Sequence, residues 1–341
     1  MRLIKTEDAV GHVLCHDMTQ IIKDQYKDAR FRKGHVVTEE DIPVLLSMGK
    51  EHLYVWEMTS GMVHENDAAE RLLALCGQEN MIRSGVKEGK IELKAACDGV
   101  FLVDSARLVA VNSQDEVMIA TRKGGMAVRE GDKLAGMRVI PLIIEEEKLR
   151  KAEQAAGDKP LLSLKPYVRK TACIVATGGE VKKGLIQDTF TPVVIDKLKT
   201  YGIETLEVVY SGDGVENVRD AVLTMREKKP DMILCTGGMS VDPDDKTPLA
   251  IRNTGAKVVS YGAPVLPGAM FLVSYYPDGR PICGLPGCVM YARRTIFDLV
   301  LPYLVTDTPI TAAWLSRLGN GGLCLNCPQC HFPNCGFGKG V

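Results

Sequence analysis

Three glycine-bearing segments carry residue types that are suited to binding an anion. They are Thr-Gly-Gly-Glu at 177–180, Thr-Gly-Gly-Met-Ser-Val-Asp-Pro-Asp-Asp at 236–245 and Gly-Leu-Pro-Gly-Cys at 284–288. Glycine allows backbone N–H groups to approach an anion closely, and a helix that follows presents its positive end to the same anion. One such loop can be merely a tight turn between a strand and a helix, whereas three in one region favour a binding site.

Hydroxyl and carboxylate side chains accompany these glycines. They are Thr177, Thr236, Ser240, Glu180, Asp244 and Asp245. The hydroxyl groups can donate hydrogen bonds to phosphate oxygens, whereas the carboxylates would repel a phosphate unless a cation lay between them. Backbone donors beside carboxylates therefore predict a site for a phosphate that carries Mg²⁺.

Four cysteines near the carboxyl end form a second pattern that could do chemistry. Cys324, Cys327, Cys330 and Cys335 have the spacing C-x2-C-x2-C-x4-C, with proline and glycine residues that permit tight turns. Thiolates at this spacing can hold zinc, either alone or with His331, and they can equally hold a [4Fe–4S] cluster. The simpler alternative is an unstructured tail with adventitious disulfides, and the tail could also become ordered only on docking to a partner. We predict a metal site and leave zinc and iron–sulfur open.

The region that must position the three loops alternates strands with amphipathic helices. Strands are predicted at 172–176, 203–210, 231–235, 257–260, 271–276 and 281–283, and helices at 188–201, 215–228, from 247 onward and at 289–304. Such alternation indicates a largely parallel sheet, which binds its ligands at the carboxyl ends of its strands. Because each loop follows a strand, we expect all three to meet in one crevice.

The preceding part of the chain is expected to form a smaller α+β and β-rich region. Helices are predicted at 38–49 and 65–85, strands at 100–103, 108–111, 117–120 and 139–144, and a charged helical connector at 145–160. The predicted fold is α/β, with a three-layer Rossmann-like domain at 168–305. The other predicted parts are an N-terminal segment at 1–56, a β-rich domain with the connector at 57–150, and a cysteine-rich tail at 319–341.

Charge and composition narrow the classes of partner. The net charge is −1 at neutral pH, so no overall field would recruit nucleic acid or an anionic membrane. The opening Met-Arg-Leu-Ile-Lys-Thr-Glu-Asp has charges where a signal peptide needs an apolar run. No stretch approaches the roughly 18 apolar residues that a membrane span requires. We therefore expect a cytoplasmic protein with neither nucleic acid nor membrane as a partner.

The loops and their order resemble the molybdopterin-binding domain shared by the MoeA/gephyrin-E and MogA/gephyrin-G proteins. The pattern of that family is roughly T-G-[DN]-E, then G-G-x-S-x-G-x-x-D, then P-G and finally G-L-P-G-N-P. The present chain has TGGEV at 177–181, GGMSVDPDD at 237–245, LPGAM at 266–270 and GLPGCV at 284–289. The first 56 residues also resemble the opening of MoeA, and the serine of the second loop favours the MoeA branch.

The resemblance implies a molybdenum-insertion enzyme. In that family the adenylylated pterin dithiolene is bound, molybdate replaces the bound metal, and AMP leaves with the assistance of Mg²⁺. By position, the resemblance implies catalytic roles for Asp245, Asp244, Ser240 and Glu180. The Asp and Glu carboxylates among them would place Mg²⁺ on the pyrophosphate. The residues expected to bind molybdopterin, the substrate, are Thr177, Gly178, Gly179, Asp188, Thr236, Gly237, Gly238, Met239, Pro267, Gly268, Pro286, Gly287 and Cys288.

Several positions depart from the family pattern and keep other functions open. Leu266 and Ala269 replace basic residues that flank Pro-Gly, Gly179 replaces Asp or Asn, and Cys288 and Val289 replace Asn and Pro. One alternative is a non-catalytic molybdopterin carrier or sensor, in which the tail reports metal or redox state. A weaker alternative is a CinA-like hydrolase of a nucleotide pyrophosphate. The expected partners are molybdopterin, molybdate, a second copy of the chain, and a molybdoenzyme or another protein of molybdenum-cofactor biosynthesis.

Overall fold

The computed structural model describes residues 2–22, 26–55, 61–240 and 246–340. The strands of its first half are β1 (Arg2–Lys5), β2 (Met18–Ile22), β3 (Tyr26–Phe31), β4 (His52–Val55), β5 (Met62–His64), β6 (Met81–Arg83), β7 (Ile91–Ala95), β8 (Gly99–Val103), β9 (Val117–Thr121), β10 (Met126–Val128), β11 (Lys133–Val139), β12 (Ile143–Glu145) and β13 (Leu162–Pro166). The later strands are β14 (Thr171–Thr177), β15 (Glu204–Ser211), β16 (Met232–Thr236), β17 (Lys257–Tyr261), β18 (Leu272–Tyr275) and β19 (Pro281–Leu285). The helices are α1 (Asp41–Ser47), α2 (Glu65–Cys76), α3 (Ser105–Asn112), α4 (Glu146–Ala156), α5 (Gly179–Lys182), α6 (Phe190–Lys199), α7 (Val215–Glu227), α8 (Thr247–Arg252), α9 (Ile296–Val305) and α10 (Ala312–Arg317).

The chain divides into two compact units, each assembled from separated stretches of sequence. The first unit comprises Met1–Ala96, Val103–Gly124 and Glu130–Ser163. The second unit comprises Cys97–Leu102, Gly125–Arg129 and Leu164–Val341. The second unit therefore takes two short segments from the middle of the chain in addition to its long C-terminal part.

The first unit is built from short antiparallel strands and helices. Strand β1 pairs with β4, β2 with β3 and β5 with β12, and a four-stranded sheet has the order β6-β7-β11-β9. One core of this unit is formed around Leu14, Leu45 and Leu53, each of which is almost completely buried. Ile4 of β1 and the alternate residues Leu53 and Val55 of β4 face this core, since side chains on a strand point alternately to its two faces.

Three sequence predictions in the first unit are wrong. The strand expected at 139–144 is divided, because β11 ends at Val139 and β12 begins only at Ile143. Residues 108–111 were expected to form a strand, yet they lie in α3. The Asp104 carboxylate accepts a hydrogen bond of 3.1 Å from the Arg107 backbone amide, and this N-terminal cap favours the helix. The periodicity of a short apolar run cannot separate strand from helix. The helix expected at 65–85 ends at Cys76, where Gly77 adopts a φ of 69°, and β6 follows.

The second unit is a six-stranded sheet with helices on both faces. Its strand order is β15-β14-β16-β19-β18-β17. Strands β15, β14, β16 and β19 are mutually parallel, whereas β18 is antiparallel to both of its neighbours. The chain passes from β14 to β15 on one side and then returns to β16 on the other, so the strand order reverses between β14 and β16. The predicted Rossmann-like fold with a mostly parallel sheet is confirmed.

The two faces of this sheet bury different helices. Ile174 and Leu234 lie in one core with Val194 of α6 and Val300 of α9. The next residues along the strands, such as Val175, point to the opposite core, which contains α7 and α8. Since successive strand residues point to opposite faces, continuously apolar strands fit a sheet that is covered on both sides. These two cores hold the strand ends rigidly in place.

The helix predicted at 289–304 is interrupted, so that prediction is wrong in part. A short 3-10 helix at Gly287–Met290 is followed by a break, and α9 begins at Ile296. Thr295 and Asp298 form a reciprocal capping box that starts α9 afresh. Although every residue of α9 is buried, no helix in the described ranges is long and apolar enough to span a membrane.

Asp231, which directly precedes β16, is hydrogen-bonded to the start of β14. Its contribution to stability can be tested by varying the pH. One carboxylate oxygen accepts hydrogen bonds from the amides of Lys170 (2.7 Å) and Thr171 (2.9 Å) and from the Thr171 hydroxyl. Burial acts to raise the pKa of Asp231, but these hydrogen bonds outweigh it and hold the pKa below the ordinary 3.8. Because the folded-state pKa is depressed, the stabilisation is present above pH 3.8 and is lost as the pH falls through the folded-state pKa.

We therefore expect Asp231→Asn to lower the free energy of unfolding at neutral pH. At a pH below the folded-state pKa of Asp231, the substitution should leave the free energy of unfolding nearly unchanged. Urea unfolding of both proteins between neutral and acid pH measures the difference. An effect that stayed constant across this pH range would show that ionisation of Asp231 does not stabilise the fold.

Candidate functional site

The predicted loops lie side by side at the carboxyl edge of the parallel sheet. Thr177, the last residue of β14, is paired with Ser211 of β15, and its neighbour Ala176 is paired with Thr236. Thr236, at the end of β16, is in turn paired with Leu285 of β19. The segments that begin at Thr177, Thr236 and Leu285 therefore leave three adjacent strands at the same level. This edge includes the point where the strand order reverses, which is where sheets of this kind bind ligands.

The first and second loops are in direct contact. The Thr177 hydroxyl donates a hydrogen bond of 2.8 Å to the Thr236 carbonyl oxygen. Gly237 follows with a φ of 81°, and a Cβ there would overlap the Thr177 carbonyl and lie 2.6 Å from the Thr177 hydroxyl oxygen. Position 237 therefore requires glycine both for its backbone conformation and for its close approach to the first loop.

The start of α8 closes the other side of the second loop. Thr247, which is almost fully buried, donates from its hydroxyl to the Gly237 carbonyl at 2.9 Å and from its amide to the Gly238 carbonyl at 3.2 Å. Gly238 also has a positive φ of 58°, and a Cβ there would lie 2.6 Å from the Thr247 hydroxyl. These bonds occupy the carbonyl groups of the loop, which leaves its amides as the groups available to an anion.

Two residues that were predicted to bind the ligand, Met239 of the second loop and Pro286 of the third, are buried. The Met239 side chain is only 3% exposed and packs in the core that contains α7 and α8. It fills the space over Gly284, where a Cβ would lie within 2.6 Å of its methyl carbon. Pro286 is also buried, whereas Gly287 is exposed and Cys288 is half-buried. Burial raises the pKa of the Cys288 thiol.

The Pro-Gly segment belongs to the same edge of the sheet. Strand β17 runs parallel to β19, since both are antiparallel to β18, and it therefore ends at the same edge. The Pro267 carbonyl accepts a hydrogen bond of 3.1 Å from the Ile296 amide, and Gly268 is packed directly against the Ile296 side chain. Tyr261, at the end of β17, donates from its hydroxyl to the Met239 carbonyl at 3.1 Å. The Pro-Gly segment is thus attached to the start of α9, whereas the end of β17 is attached to the second loop.

Asp188 supplies a negative charge beside the first loop. One of its oxygens accepts hydrogen bonds from the amides of Phe190 (2.9 Å) and Thr191 (3.0 Å), and the other accepts the Tyr210 hydroxyl at 3.2 Å. Burial acts to raise the pKa of Asp188, but the hydrogen bonds outweigh it, so the pKa lies below the ordinary value. Burial, with the nearby Asp188, raises the pKa of Tyr210. At neutral pH an ionised carboxylate therefore stands beside a neutral phenol.

A fourth loop at this edge was missed by the sequence analysis. It follows β15, and its Asp213 carboxylate accepts a hydrogen bond of 2.9 Å from the Gly179 amide of the first loop. The Lys182 side chain lies against Gly212 in the same loop. The sequence Ser-Gly-Asp-Gly at 211–214 follows a strand just as the other loops do. That position was the signal that could have revealed it.

The structure describes two of the four predicted catalytic residues. Glu180, in the short helix α5, and Ser240 are both exposed. Asp244 and Asp245 lie outside the described residues. Mg²⁺ commonly binds through one or two carboxylates together with substrate phosphates, so Glu180 fits such a role without a preformed cage. A magnesium site at this edge stays a prediction.

The four C-terminal cysteines are not gathered into one site. Cys324 and Cys335 are half-buried against the core that contains α9, whereas Cys327 and Cys330 are exposed. In the part of the chain that the structure describes, no group of three or more His, Cys, Asp or Glu side chains is placed to hold a metal ion. Hydrogen bonds from the Phe332 amide and the Arg294 side chain lower the pKa of Cys330. The geometry does not fit a four-thiolate site, and the metal at this position stays a prediction.

Two parts of the chain match known protein families. Residues 173–306 match the family described as "Probable molybdopterin binding domain", and residues 3–57 match a domain of unknown function, DUF8806. A CinA-like protein of Mycobacterium tuberculosis (strain H37Ra) is 34% identical over 80 residues, which are 24% of this chain and 19% of that protein. A CinA-like protein of Pseudothermotoga lettingae is 32% identical over 85 residues, which are 25% of this chain and 21% of that protein.

The chain thus spans about a fifth of the length of these curated relatives. Among solved structures, the molybdopterin biosynthesis enzyme MoaB of Thermus thermophilus is 21% identical with a TM-score of 0.34. The similarity covers 41% of this chain and 98% of that one. Residues 173–306, from β14 to the end of α9, thus form a Rossmann-like domain that matches the family of probable molybdopterin-binding domains.

Proposed function

We propose that the second unit binds molybdopterin, a pterin phosphate, at the carboxyl edge of its parallel sheet. The observation that carries this proposal is the contact of the first two loops at the point where the strand order reverses. There Gly237 packs on Thr177, and Thr247 occupies the loop carbonyls. The amides of the second loop are left to face an anion, as amides do in phosphate sites at helix starts.

The groups around these loops suit the two ends of such a ligand. The Gly238 region of the second loop and the Lys182 ammonium beside the first loop provide donors and positive charge for a phosphate or pyrophosphate. The ionised Asp188 carboxylate, next to Tyr210, provides an acceptor for the ring N–H and amino groups of a pterin. Hydrogen bonds to a charged acceptor are worth about 1.5–3 kcal/mol, which is enough to orient the ring.

The reaction that we infer for this site is Mg²⁺-dependent insertion of molybdate into adenylylated molybdopterin, with release of AMP. The retained Ser240 of the second loop and Glu180 of the first loop support this activity, because a carboxylate can hold Mg²⁺ on the pyrophosphate. The MoeA-like pattern of the N-terminal residues supports the same inference. In this proposal the protein acts as a dimer and hands the cofactor to a molybdoenzyme or to another biosynthetic protein.

Two other functions rest on specific observations. The apolar Leu266 and Ala269 at the Pro-Gly segment reduce the positive charge at this edge, which supports a carrier that binds the pterin without turnover. The similarity to CinA-like proteins supports hydrolysis of a nucleotide pyrophosphate by the same domain. The three functions differ in what they require for the release of AMP.

The purified full chain is incubated with adenylylated molybdopterin, with and without Mg²⁺ and molybdate, and AMP is measured. We expect release of AMP that depends on both Mg²⁺ and molybdate, because the carboxylates act only through the metal. Tight binding without release would establish the carrier, and release without molybdate would establish the hydrolase. Failure to bind molybdopterin at all would overturn both the insertion enzyme and the carrier.

A further inference from the structure

The C-terminal tail is a folded segment that is anchored to the second unit by apolar contacts. Phe337 is only 5% exposed and belongs to the core that contains α9. Its ring lies 6.2 Å from that of Phe332 in an edge-to-face arrangement. Gly338 is packed directly against Leu299 of α9. Because burial of aromatic side chains contributes substantially to stability, this anchoring does not need a metal ion.

Backbone hydrogen bonds attach the tail to the edge of the sheet that holds the candidate site. The Leu266 amide donates to the Gly322 carbonyl, and the Cys324 amide donates to the Leu266 carbonyl, each at 2.8 Å. Leu323 thereby pairs with Leu266, the residue before the Pro-Gly segment. The tail is therefore held on one of the segments that form this edge.

The four cysteines fall into two pairs with different surroundings. Cys324 and Cys335 pack as partly buried residues against the core, as free thiols in folded proteins commonly do. Cys327 and Cys330 are exposed, and the chain bends between them at Pro328 and Gln329. The sequence Cys-Pro-Gln-Cys thus forms an exposed turn with a thiol at each end.

Two consecutive arginines hold this turn against the second unit. Arg293 donates a hydrogen bond of 2.8 Å to the Pro328 carbonyl, which lies between the two cysteines. Arg294 stacks on the Phe332 ring, two residues beyond Cys330, at 4.8 Å. Arg294 is itself fixed by Asp298 at 2.9 Å. Two exposed thiols in a Cys-x-x-Cys arrangement on an anchored bend are typical of redox-active dithiols.

We propose that Cys327 and Cys330 form a redox-active dithiol that exchanges with external disulfides such as glutathione disulfide. Cys330, after losing its proton to solvent, attacks one sulfur of the external disulfide, which forms a mixed disulfide and expels one glutathione thiolate. Cys327, after losing its proton to solvent, attacks the Cys330 sulfur and expels the second glutathione thiolate. The protein loses two electrons and two protons, and the external disulfide becomes two thiols. This step does not depend on the proposed pterin chemistry.

The exchange can be located by mass spectrometry. Metal content is measured first on anaerobically purified protein, which is then treated with glutathione disulfide and alkylated. Trypsin releases all four tail cysteines in one peptide, because no Lys or Arg lies between Arg317 and Lys339. We expect this peptide to lose two hydrogens, with a bond between Cys327 and Cys330 that fragmentation of the peptide locates.

Variants separate this outcome from non-specific oxidation. In Cys327→Ser the second step is lost, so a stable glutathione adduct should remain on Cys330. The matched control, Cys324→Ser, removes a half-buried thiol and should leave the Cys327–Cys330 bond unchanged. The proposal would be overturned if the purified protein contained stoichiometric zinc or iron and this metal blocked the reaction. A bond to Cys324 or Cys335, or separate glutathione adducts on Cys327 and Cys330 in the unaltered chain, would equally overturn it.

Discussion

Gly237→Ala is expected to abolish pterin binding and to lower the free energy of unfolding by about 2–5 kcal/mol. The backbone at this position has a φ of 81°, which costs an L-residue about 1–2 kcal/mol. The added Cβ would also overlap the Thr177 carbonyl, which lies in the last residue of a central strand and cannot move freely. Relief of this overlap should push the second loop away from the first and displace the amides that face the phosphate.

The control for this substitution is Gly255→Ala. Gly255 has a nearly identical φ of 84°, yet a Cβ there would meet nothing within 4 Å among the described residues. This variant should therefore show only the backbone cost of about 1–2 kcal/mol and should bind the pterin normally. Urea unfolding and a molybdopterin titration are measured on both variants. Equal losses of stability, or normal binding by Gly237→Ala, would contradict the close approach of the two loops.

The second large effect is expected for Asp298→Ala, which should lower the free energy of unfolding by about 3–5 kcal/mol. The Asp298 side chain is only 5% exposed and pairs with Lys197 of α6 at 2.6 Å. It also pairs with Arg294 at 2.9 Å and accepts the Thr295 amide as part of the capping box. Removal of the carboxylate leaves the mostly buried Lys197 ammonium without this partner and removes the cap that starts α9.

The control here is Asp307→Ala. Asp307 pairs with Arg169 at 3.4 Å, but its side chain is 89% exposed, so water replaces the interaction readily. The denaturant concentration at the midpoint of unfolding should be the same for this variant as for the unaltered protein. A similar result for Asp298→Ala would show that the buried ion pair and the cap do not stabilise the contact between α6 and α9.

The architecture of the second unit was predictable from the sequence because its strands are continuously apolar and its helices amphipathic. The first strand, expected at 172–176, is found at Thr171–Thr177, and the helix expected at 215–228 is found at Val215–Glu227. The errors occurred where apolar runs were short or where a cap inside a run decided the boundary. Thr295 is such a cap, since it interrupts a long apolar segment that periodicity alone assigns to one helix.

The glycine loops of the candidate site were predictable for a related reason. Glycine and hydroxyl residues directly after apolar strands must lie at the carboxyl edge of a parallel sheet. The directions of side chains could not be predicted in the same way. Met239 belongs to the second loop by sequence, yet its side chain packs into the core. It does so because Gly284, which is distant in sequence, leaves space for it there, and this contact can be seen only in the folded structure. Asp213 was missed because its hydrogen bond to Gly179 joins residues that are distant in sequence.

The discontinuous makeup of the second unit bears on how the protein is synthesised. Val100, from the short segment 97–102, is completely buried in the same core as α9. The ribosome completes this segment long before α9 emerges, so the nascent chain must keep an apolar strand from aggregating until its packing partners are made. Removal of everything before β14 would take away part of that core, and a fragment trimmed to the α/β sequence alone should therefore be poorly soluble when expressed.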